Sequence, residues 1–342
     1  MANDFMLTFA AAAALSGMLV FLMMPLLRRY AQARPNARSS HASPTPQGAG
    51  LAVLIGACIA ALGRILAWEP SMIGEASVVM AASFLLAATG AWDDLRPLAP
   101  LPKLLPQFVA VGAVICLATP SELRLLPALP LAVERVLATV AGVWFVNLVN
   151  FMDGIDWMTV AGCGVPLGAL ALLGLGSARG EDCAPILATA LCGALVGFAP
   201  FNKPVARVFL GDVGSLPIGL ILGYGLYRLA LSGHLAAALI LPLYYLWDSG
   251  STLASRLMRQ EAFWEAHRGH VYQRATDAGW SVTEVIGWVF ALNLCLAALA
   301  LIGVWWNIVA VSSLSLALAL ALVAFVCRRL VSGPARRRGM AV

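Results

Sequence analysis

Val146–Met158 reads V-N-L-V-N-F-M-D-G-I-D-W-M, a polar seam between two apolar runs, residues 133–146 and 158–175. Asn147, Asn150, Asp153 and Asp156 follow one another at steps of three. In lipid each Asp near a span centre costs about 2.5–3.5 kcal/mol by insertion scales, so these groups must meet water, a cation or a substrate. On a straight α-helix, steps of three drift by about 60° each, and positions 147 and 156 would face opposite ways. Gly154 can interrupt the helix and let the four side chains converge at its end. A helix C-terminus carries partial negative charge, so two added carboxylates favour a cation there. Mg²⁺ is commonly held by one or two carboxylates plus substrate phosphates. A polar inter-helix loop facing water explains this stretch alone equally well; the other polar segments weigh against that reading.

The surrounding chain is apolar throughout. Of 342 residues, 61% are hydrophobic and only 11% charged, and the mean hydropathy is +0.86. A soluble globular protein carries about 25% charged residues. The expected fold is an all-α polytopic membrane protein, a single integral-membrane domain over residues 1–342. Apolar runs lie near 5–27, 49–67, 72–91, 104–119, 133–151, 158–176, 185–200, 215–231, 234–248, 283–303 and 307–327, about 11 transmembrane helices. Residues 185–200 and 234–248 are short, so the expectation is 10–11. Asp4 precedes the first run and Arg28 and Arg29 follow it, the reverse of a signal peptide, so residues 5–27 read as a retained span. The seven Cys show no C-x-x-C and imply neither a disulfide framework nor a zinc ribbon.

With the N-terminus outside, 17 of the 22 basic residues fall on the inner side and five toward the outer. The positive-inside rule therefore predicts N-out/C-in, with the polar seam and four other polar segments at the cytoplasmic face. The net charge of +5 follows from this bias and calls for no nucleic acid.

Those segments carry chemistry of one kind. The first inner loop, Arg34 to Gly50, holds P-T-P-Q-G-A-G with His41 and Thr45 as donors to an anion. Next, A-W-D-D-L-R-P-L places Asp93 and Asp94 side by side at the end of a span. Such neighbours raise each other's pKa unless a cation intervenes, and Arg96 could balance them as an interfacial pair. In F-N-K-P-V-A-R-V-F-L-G-D-V-G-S-L, Asp212 sits at the start of a span with Ser215 as a candidate cap. Free N–H groups there would suit an anion; Phe209 could stack on a base, and Lys203 is one of two lysines in the chain. Finally, H-R-G-H-V-Y-Q-R gathers His267, Arg268, His270 and Arg274. The H-x-x-H spacing has no third zinc ligand, and the cationic cluster suits a diphosphate. It could equally be a basic segment on the membrane surface. Five Asp and this cluster on one face describe a Mg²⁺–diphosphate site.

Together, D-D at 93–94, N-x-x-N-x-x-D-G-x-D at 147–156, F-L-G-D-V-G-S at 209–215, H-R-G-H-x-Y-Q-R at 267–274 and P-T-P-x-G-x-G at 44–50 resemble the polyprenyl-phosphate N-acetylaminosugar-1-phosphate transferases, the MraY/WecA-type glycosyltransferase family 4. The resemblance covers nearly the whole chain, in family order. It implies transfer of an N-acetylaminosugar 1-phosphate from a UDP-sugar to undecaprenyl or another polyprenyl phosphate, releasing UMP, with Mg²⁺ or Mn²⁺ as cofactor. By matching positions, Asp156 and Asp212 would be metal ligands, and Asp93, with Asp94, would deprotonate or orient the lipid phosphate. Asn150 and Asp153 would shape the nucleotide site with Asn147 beside them. Phe209 would stack on uracil. His267, Arg268 and His270 would hold the phosphate groups, and His41, Thr45, Lys203 and Arg274 would contact substrate. The forms resemble the branch that starts O-antigen or capsule polysaccharide, with the muramoyl-pentapeptide branch as the alternative. Trp157 stands where the family has Gly, and Gln47 and Ala49 where Arg and Gly are expected; these departures bear on sugar specificity.

The expected partners are the UDP-N-acetylaminosugar, the polyprenyl phosphate, the lipid bilayer and, as one option, a second copy of the chain. The expected location is the bacterial inner membrane. A secondary transporter would place its ionisable groups near mid-span and show inverted repeats; neither is evident here. A scaffold without activity would have no need of the acids.

Overall fold

The computed structural model describes residues 2–33, 44–175, 182–260 and 268–334. Thirteen α-helices and one small hairpin make up most of these residues. Most helices follow the apolar runs: α1 Ala2–Tyr30, α2 Gly50–Trp68, α3 Ile73–Leu95, α4 Pro100–Leu117, α5 Leu131–Met152, α6 Met158–Gly174, α7 Ala184–Asn202 and α8 Asp212–Leu231. After α9 (Leu235–Ile240), α10 (Leu243–Met258) and α11 (Val271–Asp277) come two long helices, α12 Val282–Trp306 and α13 Val309–Val331. Among the described residues, eight helices are long and apolar enough to cross a membrane; α4 and α6 are shorter apolar helices.

The run at 185–200 is a full 19-residue helix, α7. The run at 234–248, expected as one span, is instead two helices broken at Leu241–Pro242. Pro242 has no N–H to give to Ala238, and its ring crowds that carbonyl, so an unbroken helix through it is disfavoured. Local signals set other ends. Ser281 and Glu284 form a reciprocal capping box at the start of α12, and Asn307 closes that helix in the left-handed region at φ 48°. All seven cysteines are free thiols, in line with the absence of any framework spacing.

α8 is the centre of the bundle. It packs on α3, α5, α2, α7 and α9, while α1 packs on α7 and α2, and α12 packs on α13 and α6. The α3–α8 crossing is very close because Gly90 has no side chain: a Cβ there would overlap the backbone of Asp212. That contact brings the C-terminal end of α3 onto the N-terminal end of α8. The hairpin pairs β1 (Gln32–Ala33) with β2 (Thr45–Pro46), antiparallel, Gln32 opposite Pro46 and Ala33 opposite Thr45. Beyond it, Phe209 N–H donates to the Pro46 carbonyl at 2.8 Å, and the N–H groups of Gly48 and Ala49 donate to the Phe209 carbonyl. The Thr45–Ala49 segment is thus stitched to the linker between α7 and α8.

Candidate active site

The end of α3 delivers two carboxylates in different directions. Asp93 accepts from the Leu98 N–H at 2.7 Å and from Lys103 Nζ of α4 at 2.7 Å. Lys103 also bridges to the carboxylate of Asp212. Asp94 turns to α8, where its two oxygens accept the N–H groups of Asp212 and Val213 at 3.0 and 3.2 Å. The cap of α8 is therefore a side chain from another helix, and the orphan amides expected to receive a substrate anion already hold Asp94. Ser215 is no cap: it lies buried one turn in, accepting from Asn150 Nδ2 at 2.8 Å. Asn150 donates from the same nitrogen to Asp212 at 2.7 Å. Asp93, Lys103, Asp212 and Asn150 thus form one connected group drawn from α3, α4, α8 and α5.

The seam at 146–158 does not converge as a unit. Asn147 points to α4, where it exchanges hydrogen bonds with buried Gln107. Asn150 reaches α8, as above. Asp153, just past the end of α5, accepts from the Thr159 hydroxyl. Desolvation pushes its carboxyl up to about 7, with the negative charges of Asp212 and Asp156 adding to the rise and the Thr159 hydrogen bond opposing it. Asp156 accepts the Ala206 N–H at 2.9 Å and so ties this loop to the α7–α8 linker.

Gly154 is needed for space rather than for a left-handed turn. A Cβ there would collide with the Tyr272 hydroxyl, which donates to the Phe151 carbonyl at 3.2 Å. The residue that is left-handed is Trp157, at φ 63°. Its backbone N–H donates to Asn202 Oδ1 at 2.8 Å and its indole N–H to the Ala199 carbonyl at 2.7 Å. Those bonds hold a bulky residue in a conformation that glycine adopts freely.

Phe209 is half-buried, its backbone locked to the first loop as described. Thr45 is buried in β2. Gln47, one of the departures, donates from its side chain to the Asp94 carbonyl at 2.9 Å. Lys203 and Arg274 are exposed. His41 and His267 lie outside the described residues.

Of the C-terminal cluster, Arg268 bridges to Asp277 at 3.1 Å, and His270 is 5% exposed. Its Nδ1 lies 3.1 Å from a carboxylate oxygen of Asp248 in α10, and its ring stacks on Tyr272. Asp248, Lys103 and Gln107 are polar partners that motif reading overlooked. Lys103 could have been found: it is one of two lysines in the chain and lies nine residues after Asp94.

This end of the bundle therefore brings together groups from all five polar segments. The Asp212 side chain is 26% exposed and Asp93 17%, so carboxylate oxygens remain reachable. Lys103 is the one ammonium bonded here, to Asp93 and Asp212, while Asp94 is held by backbone amides and Asp153 and Asp156 stand nearby. The excess of oxygen donors and negative charge fits a hard divalent cation whose remaining positions come from phosphate. Among the described residues, no three His, Cys, Asp or Glu side chains form a cage for a metal by themselves.

Comparison with known proteins places this geometry in context. Residues 76–230 match the family described as glycosyl transferase family 4. A phospho-N-acetylmuramoyl-pentapeptide-transferase of Synechococcus sp. (strain JA-3-3Ab) is 29% identical over 326 residues, covering 85% of this chain and 89% of the relative. A decaprenyl-phosphate N-acetylglucosaminephosphotransferase of Mycolicibacterium smegmatis is 33% identical over 217 residues, 58% of this chain and 53% of that protein. A probable undecaprenyl-phosphate N-acetylglucosaminyl 1-phosphate transferase of Bacillus subtilis (strain 168) is 23% identical, with 86% of each chain covered. The matched segment 76–230 contains Asp93, Asp94, Lys103, the 146–158 seam and Asp212.

Proposed function

We propose that this chain, a membrane phosphotransferase of glycosyl transferase family 4, moves an N-acetylaminosugar 1-phosphate from a UDP-sugar to undecaprenyl or a related polyprenyl phosphate, releases UMP and so starts a lipid-linked polysaccharide. The observation that carries this reading is the connected group Asp93–Lys103–Asp212–Asn150, which joins three separate motifs at one end of the bundle. The bias of basic residues supports a cytoplasmic location for that end, in a bacterial inner membrane.

The chemistry asks for positioning more than activation. A phosphate monoester is already largely ionised at pH 7, its second pKa being about 6. Lys103, bonded to Asp93, would hold the lipid phosphate as nucleophile, and Asp93 would be the base for any proton it still carries. The β-phosphorus of the UDP-sugar is attacked directly; UMP leaves against His267, Arg268 and His270. Phe209 lies in the α7–α8 linker, three residues before Asp212, and would stack on the uracil. Asp212, with Asp156, would hold Mg²⁺ or Mn²⁺, which when bound neutralises diphosphate charge. Lys203 and Arg274, both exposed, would contact substrate at the rim, and we assign substrate contact to Thr45 and His41 as well.

The test is UMP release by the purified protein with undecaprenyl phosphate and a panel of UDP-sugars, with and without Mg²⁺. Release with UDP-N-acetylglucosamine or a related UDP-N-acetyl sugar supports the proposal. The Synechococcus relative, aligned over most of its length, favours a second reading, in which only the UDP-muramoyl-pentapeptide serves. UMP appearing in a stoichiometric burst without lipid, with sugar phosphate trapped on the protein, would overturn direct attack.

A further inference from the structure

We propose that Asp248 is a positioning residue that sets the ring orientation of His270 and the start of α11, a role resting on the reading of His270 as a phosphate-holding group. Asp248 sits in α10, one turn and a half past the break at Pro242, and is fully buried. An isolated buried carboxylate is costly, so its partners identify what it is for. Both of its oxygens accept the Val271 N–H, at 2.9 and 3.0 Å, and one lies 3.1 Å from His270 Nδ1. The hydroxyls of Tyr244 and Thr252 lie at 3.4 and 3.5 Å. Four groups thus converge on one side chain, and two of them belong to the first turn of α11.

The direction of the His270 bond follows from this arrangement. The Gln273 backbone N–H also reaches the His270 side chain in a capping box, so two contacts compete for the ring; Asp248, whose oxygens already accept an amide N–H, selects the tautomer in which His270 Nδ1 carries the hydrogen and donates. With that tautomer, the other edge of the ring faces away from Asp248. Stacking on Tyr272, whose hydroxyl donates to the Phe151 carbonyl, sets the plane of the ring and links it to the loop of Asp153. The device repeats what Asp94 does for α8: a carboxylate on one helix caps the N-terminus of another that bears a candidate site residue. At α11 the same carboxylate also holds the side chain itself.

Two measurements on the full-length protein test the assignment. The first needs no substrate. With ¹⁵N-labelled histidine, NMR of wild type and His270→Gln identifies the His270 ring, which should show a protonated Nδ1; in Asp248→Asn that signature should be lost. An unprotonated Nδ1 in the wild type, or an unchanged ring in the variant, overturns the proposal whatever the protein's activity. The second is a double-mutant cycle on UMP release. Asp248→Asn should lower kcat about tenfold with the KM for UDP-sugar within about threefold, but should cost less than twofold in a His270→Gln background. The same loss in both backgrounds would show that Asp248 acts through something other than His270. Asp248→Asn keeps the side-chain volume and an acceptor for Val271, and its folding is checked by its melting temperature. Should it not fold, Asp248→Ser, which also lacks the carboxylate, replaces it in both measurements, and the same outcomes decide. If no UDP-sugar releases UMP from wild type, the functional reading fails while the NMR result still decides the role of Asp248.

Discussion

Asp212 touches three other groups of the candidate site, taking Lys103 and Asn150 on its carboxylate and Asp94 on its backbone N–H. Asp212→Asn keeps the shape and the backbone contact but removes the charge that Lys103 and a divalent cation both need. It should lower UMP release by at least about 10², while the melting temperature stays within a few degrees. Near-normal turnover at saturating Mg²⁺ would remove Asp212 from the mechanism. Asp153 makes a pH prediction. Its folded-state pKa of about 7 lies above the usual carboxylate value near 3.9, so the unfolded chain releases this proton first as pH rises. Asp153 therefore costs stability progressively between about pH 4 and 7, by about 1–3 kcal/mol after allowing for its partial exposure. Thermal melts at pH 5 and pH 8 should differ less in Asp153→Asn than in wild type; equal differences would show that the carboxyl titrates normally. Trp157 sets two effects against each other. Replacing it by Gly relieves left-handed strain of about 1–2 kcal/mol but loses the indole bond to Ala199 and its packing, together about 3 kcal/mol or more. Trp157→Gly should thus lower the melting temperature, and a gain would mean that the indole contributes little.

At the scale of elements, the site depends on how near α3 comes to α8. The Gly90 contact is backbone against glycine, with no flexible side chain to move aside. Gly90→Ala should push the helices apart, cost about 1–3 kcal/mol or more, and separate Asp94 from the amides it caps, so activity should fall further than stability. Gly63, on α2, has open space where a Cβ would stand, with no atom within 4 Å. Gly63→Ala therefore serves as the control, expected to change stability by less than about 1 kcal/mol. A Gly90→Ala variant with wild-type melting and turnover would mean that the two helices can slide without loss. The α5–α6 connection is fastened in the same spirit. Tyr272 reaches it from α11, and Asp156 and Trp157 reach the α7–α8 linker and the end of α7, so two connections and α11, far apart in sequence, are held as one platform.

For the whole molecule the question is which way the platform faces. Lys203 and Arg274 lie at the site end and are exposed, and Ser121, in the α4–α5 connection, is exposed near the other end. Single cysteines introduced at these positions, in a chain whose native cysteines are replaced, should split by side. Cys at 203 and 274 should react with an impermeant thiol reagent only after the cells are opened, and Cys at 121 in intact cells. The reverse pattern would place the site outside and refute the proposal that it draws on a cytoplasmic UDP-sugar.

Much of this was decided by the chain's composition. Membrane burial leaves few options besides a helix for a long apolar run, because backbone groups in lipid must satisfy one another. Helix positions were therefore legible, and so was the gathering of acids at span ends, since a charge in mid-membrane is expensive. Where an apolar count is blind to backbone chemistry the reading failed, as at Pro242, which breaks the run at 234–248 without making it less hydrophobic. The partners of the polar groups were legible least of all. Asn147 and Asn150 look alike in sequence, yet one turns to Gln107 of α4 and the other to Asp212 of α8. Asp94 resembles Asp93, yet caps a helix 118 residues away. A hydrogen bond between remote elements leaves no local periodicity or propensity, because it depends on which helices pack and at what rotation. That is set by close contacts such as Gly90 on Asp212 and Gly154 on Tyr272, which exist only once the helices have assembled.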